Sequence, residues 1–134
     1  MEKEKQYKPY KSHGDRSRTP YEALDIKKEM CNLLSYDIKT QKEWLGKYTE
    51  YYTELPLNGI ITIYRAVPKE ANKIRSGDYV TQSYNYAKKH LELVLNGNGK
   101  ILTKKVKLNE LYPVNNNEFW FVSINLEKEL EGIE

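Results

Sequence analysis

A single cysteine, Cys31, is the only thiol in this chain of 134 residues. No internal disulfide can form, and a reducing compartment is the expected setting. Histidine is nearly as scarce, at His13 and His90. With one cysteine and no histidine pair at ligand spacing, the pattern argues against a zinc site, and no metal is expected. No apolar run approaches the ~20 residues that cross a bilayer, and the opening residues alternate charges where a secretory signal would carry an apolar core. A cytoplasmic protein with no membrane partner is expected. Phenylalanine is limited to two residues, but there are twelve tyrosines, each able to bury a ring while keeping a polar tip.

The length suits one compact domain. Hydrophobic residues are 39% and charged residues 31% of the chain, which places it on the polar side of globular proteins with a modest core. A net charge of +3 is too small to argue for nucleic acid, but its distribution is uneven. Residues 1–18 carry Lys3, Lys5, Lys8, Lys11, Arg16 and Arg18 against three carboxylates, while the end carries Glu127, Glu129, Glu131 and Glu134 against Lys128.

Residues 1–18 lack apolar periodicity and read as a flexible basic arm, with residues 19–134 as the folded domain. Thr19, Pro20 and Glu22 form a capping box with proline at the first helical position, predicting a helix to about Leu34 whose inward stripe is Leu24, Cys31 and Leu34, with Ala23, Met30 and Leu33 nearby. Thr40 and Glu43 repeat the box, and Trp44, Leu45, Tyr48, Tyr51 and Tyr52 follow at helical spacing up to Pro56. The helical part is thus 19–55. A sheet core is expected over 59–124: a strong β-branched strand from Ile60 to Val67, a short strand beginning at Gly77-Asp78, and a helix capped by Ser83 running to Leu95. Next come a lysine-rich strand from Ile101 to Leu108, a turn at Leu111–Val114, and an aromatic strand from Glu118 to Ile124.

Arg65 sits late in the most apolar strand of the chain. A guanidinium there requires an anion, and its planar fork suits phosphate. A hydroxyl cluster follows at Thr81-Gln82-Ser83, then Tyr86-Ala87-Lys88-Lys89-His90, and finally Asn117-Glu118-Phe119-Trp120. Small hydroxyls can position a ribose and orient a carboxylate, and a carboxylate can stabilise positive charge developing on a sugar.

In this order the residues resemble the arginine–serine–glutamate class of ADP-ribosyltransferases, and more closely small phage-associated domains of that kind. The motifs are Tyr64-Arg65-Ala66-Val67-Pro68, Gly77-Asp78-Tyr79-Val80-Thr81-Gln82-Ser83, the Tyr86–His90 helix, the lysine-rich strand and Asn117-Glu118. The resemblance covers residues 59–124. It implies an α+β fold in which N-terminal helices pack on a small split mixed or antiparallel sheet with an NAD cleft, and NAD as co-substrate. Position by position it implies Glu118 as catalytic carboxylate, Arg65 on the nicotinamide-ribose and its phosphate, and Ser83 with Thr81 holding Glu118 and the ribose; Tyr64 and, from its position on the helix after the hydroxyl segment, Tyr86 are expected beside the cofactor. The acceptor would be a macromolecule, a host protein first, in the host cytoplasm if the chain is phage-encoded. Asn116, two residues before Glu118, stands where enzymes of known target often carry Glu or Gln, so the target type stays open.

Other readings stand beside this one. Arg65 can pair with a surface carboxylate, Glu118 can be an exposed strand residue, and Ser83 serves as a helix cap in every case. The fold can also serve without turnover as a binding protein that blocks a host defence or nucleic-acid complex. Nucleic-acid binding through Tyr7–Lys11 and Lys100, Lys104, Lys105 and Lys107 combines cations with rings but lacks a base-reading motif, and ranks last.

Overall fold

A computed structural model describes residues 17–46, 59–115 and 118–131. Within them α1 (Pro20–Glu29) starts as the sequence demands. The Thr19 hydroxyl accepts from the Glu22 amide at 3.1 Å and the Glu22 carboxylate accepts from the Thr19 amide at 3.0 Å. The helix stops earlier than expected. Met30 leaves helical geometry, and the Asn32 side chain accepts from the Ser35 amide to open a separate 3-10 turn (Leu33–Ser35), a local bond that competes with helix continuation. The expected stripe is corrected accordingly: Ala23, Ile26 and Leu33 are buried, whereas Met30, Cys31 and Leu34 are exposed.

The second helix, α2 (Ile38–Gly46), begins ahead of the expected cap because Asp37 accepts from the Thr40 amide at 2.8 Å. This bond holds the Asp37 carboxyl below its ordinary range. Trp44 and Leu45 face inwards; Tyr48, Tyr51, Tyr52 and Pro56 lie outside the described residues.

Strand β1 (Ile60–Val67) pairs antiparallel with β3 (Lys100–Lys107), Arg65 opposite Leu102. A second sheet has the order β2 (Tyr79–Val80), β5 (Glu118–Phe121), β4 (Leu111–Asn115), also antiparallel. The chain is therefore mixed α and β with a divided antiparallel sheet. β4 corrects the expected turn: Pro113 is accommodated because β4 is an edge strand, where a missing N–H is tolerated. Between β2 and β3 runs α3 (Tyr84–Leu93), capped by Ser83, and β5 leads into a short helix, α4 (Leu126–Glu131), that the acidic tail did not announce.

Along β1, Ile61 and Ile63 face the main core with Leu33, Leu45, Phe119 and Phe121. A smaller cluster of Ala23, Ile26, Tyr112, Val122 and Leu126 joins α1 to α4. There Lys27 and Glu127 form an ion pair at 2.9 Å, and this hydrogen bond depresses the Glu127 pKa.

Ser17 and Arg18, read from sequence as the end of the arm, belong to the packed domain. The Ser17 hydroxyl is buried and accepts from the Tyr79 amide at 2.8 Å, and the Arg18 amide donates to the Gly77 carbonyl at 2.7 Å. No described helix is long and apolar enough to cross a membrane.

Candidate functional site

The two sheets meet at one bridge. Tyr64 and Thr81 exchange backbone hydrogen bonds of 2.7 and 3.0 Å. Beyond it β1 and β2 part, and α3 packs on β1. The result is a cavity of about 240 Å³ bounded by Tyr64 to Ala66 on β1, Tyr79 to Thr81 after it, the inner face of α3, and Glu118 at the start of β5. It is smaller than the about 300–1,000 Å³ usual for ligand pockets, so it suits part of a dinucleotide and not the whole.

Five of the six residues singled out from sequence as cofactor or catalytic groups, Tyr64, Arg65, Thr81, Tyr86 and Glu118, line this cavity, and Ser83 does not. The Tyr86 hydroxyl donates to Glu118 Oε1 at 2.9 Å. Ser83 holds a different position from the one the resemblance implies. Its hydroxyl accepts from the Tyr86 amide at 3.1 Å, and its own amide donates to Thr81 Oγ1 at 3.1 Å. Ser83 thus fixes the start of α3, and through it Tyr86, which in turn holds the carboxylate.

Arg65 is only 4% exposed. Its Nη1 donates to the Tyr79 carbonyl at 2.9 Å, and its Nε lies 3.6 Å from Asp78 Oδ2. Asp78 is buried and also accepts from the Arg75 amide at 2.8 Å. The anion demanded by a strand arginine is therefore supplied first from within the fold, by a buried carboxylate and not a surface one.

Two residues of the site escaped sequence reasoning. Asp78 was visible as a carboxylate between glycine and an apolar strand, a position with no solvent for its charge. His90 lines the cavity one helical turn after Tyr86, and the i,i+4 spacing that places both on one face was available. Asn116 and Asn117 lie outside the described residues. Among the described residues no group of three His, Cys, Asp or Glu side chains is placed to hold a metal. No protein family matches the sequence, and neither the curated proteins nor the solved structures yield a match.

Proposed function

We propose that this chain is an NAD-dependent mono-ADP-ribosyltransferase whose acceptor is a macromolecule, a host protein in the cytoplasm if the chain is phage-encoded. The observation that carries the reading is the convergence of Arg65, Thr81, Tyr86 and Glu118 on one cavity from four separate segments. The cavity fits the nicotinamide-ribose end of NAD by size and by chemistry, with tyrosine rings for the planar base and a carboxylate for the sugar. NAD supplies a glycosidic bond whose cleavage releases neutral nicotinamide, and the acceptor nucleophile takes the ribose carbon and gives up its proton. Glu118 provides the negative charge that stabilises the ribose as that bond breaks. Tyr86 orients Glu118 by its hydrogen bond, and Arg65 supplies positive charge at the wall for the adjacent phosphate.

A second reading has its own support. With Arg65 turned to Asp78 and Tyr79, and Ser83 engaged as a cap, the fold also suits a binding protein without turnover. Transfer of label from adenylate-labelled NAD to a bacterial extract separates the two. Labelling by the unaltered protein and not by Glu118→Gln supports the transferase; no labelled product, with no nicotinamide released, supports the binding protein.

A further inference from the structure

A second cavity, of about 630 Å³, shares no lining residue with the first. Phe121 borders it and Glu118 borders the other, so the two lie towards opposite ends of β5, about 10 Å apart along the strand. Ile74, Phe121 and Leu126, all buried, form an apolar floor beneath a lining that is mainly polar. Five cationic residues line the cavity, Lys73 and Arg75 from the segment before β2, Lys104 and Lys105 from β3, and Lys128 from α4, and Lys104 Nζ lies 5.5 Å over the Phe121 ring.

Two carboxylates share the lining and leave the five cations in excess. Glu110 accepts from the Lys107 amide at 3.0 Å and the Ile124 amide at 3.2 Å, and Glu129 accepts from the Ser123 hydroxyl at 2.8 Å. Among the described residues no carboxylate forms an ion pair with Lys73, Lys104, Lys105 or Lys128. Cations drawn from three elements around one concavity repel each other and raise its positive potential unless an anion enters.

We infer that this cavity is a binding site for a compact oligophosphate of the nucleoside polyphosphate class. Cations gathered from three elements around one concavity favour such a ligand over an extended nucleic-acid backbone, which would call for a cationic stripe along a groove. Its volume falls in the range for a small ligand. The apolar floor accepts a base while the lysines, as point charges, hold the phosphates.

The test is calorimetric titration of the full chain with tripolyphosphate at low salt, then with ATP, polyglutamate and a single-stranded oligonucleotide. Tripolyphosphate should bind, ATP should bind more tightly, and affinity should fall as salt is added. Lys104→Glu/Lys105→Glu and, separately, Lys73→Glu/Lys128→Glu should each weaken binding about tenfold or more, the effect of about 1.4 kcal/mol. Lys39→Glu/Lys42→Glu, on exposed positions of α2, should leave it unchanged. Absence of tripolyphosphate binding overturns the inference. So does equal loss in the α2 variant, equal affinity for polyglutamate, or binding confined to the oligonucleotide. The outcome is independent of NAD cleavage: the lysine variants keep Glu118 and its cavity intact, so failure of either reading is seen without the other.

Discussion

The Tyr86 hydroxyl holds the Glu118 carboxylate at 2.9 Å, joining the first turn of α3 to the first residue of β5 across 32 positions of sequence. The Ser83 hydroxyl fixes the Tyr86 amide, so the serine of the motif acts on the carboxylate through the tyrosine. Tyr86→Phe is expected to lower label transfer between about tenfold and a hundredfold, the range for a hydrogen bond to a charged group. Ser83→Ala should cost about 1 kcal/mol of stability as a lost cap and reduce transfer less. Parallel thermal denaturation and transfer assays on both variants check the order.

Much of this site was legible in sequence because each motif carries its local structure with it. A β-branched run ending in proline makes β1, and serine ahead of a helical pattern makes the cap of α3. The tertiary partners were not legible. Nothing near Arg65 in sequence marks Asp78 as its counter-charge, since the 12 residues between them form no element that fixes their approach. Expected boundaries failed where a side chain competed for backbone: Asn32 ended α1, and Asp37 started α2 ahead of Thr40. β4 was missed because Pro113 reads as a turn unless the strand is known to be an edge.

The buried Arg65–Asp78 pair gives both residues a structural role, beside the role proposed for Arg65 in NAD binding. Asp78→Ala leaves a guanidinium buried without this carboxylate and is expected to destabilise the protein by about 3–5 kcal/mol, read as a fall in denaturant midpoint. Arg65→Lys keeps the charge near Asp78 but loses the planar fork. It should fold and lose NAD affinity, which separates the two roles as Arg65→Ala cannot.

Gly77 has φ +97°, and an added Cβ would collide with the Arg18 backbone. Gly77→Ala is expected to cost more than about 1 kcal/mol and to free Ser17 and Arg18 from β2. Amide hydrogen exchange at Tyr79, whose N–H is held by Ser17, should accelerate.

Tyr112 is buried between α1 and α4, and burial pushes its phenol pKa above the usual 10.0. The folded state binds this proton more tightly than the unfolded chain does. Its contribution is therefore complete below pH 10 and is lost as pH rises through the elevated folded value. Stability should decline above about pH 10, and Tyr112→Phe should flatten that decline in denaturation curves taken from pH 8 to 11.

The central claim is that one cavity binds NAD and that Glu118 acts on it there. NAD affinity and nicotinamide release, measured on the same preparations of the unaltered protein and Glu118→Gln, test it most directly. Similar affinity for both proteins and release of nicotinamide by the unaltered protein alone are expected. Failure of the unaltered, folded protein to bind NAD, or equal release by the two, would contradict it.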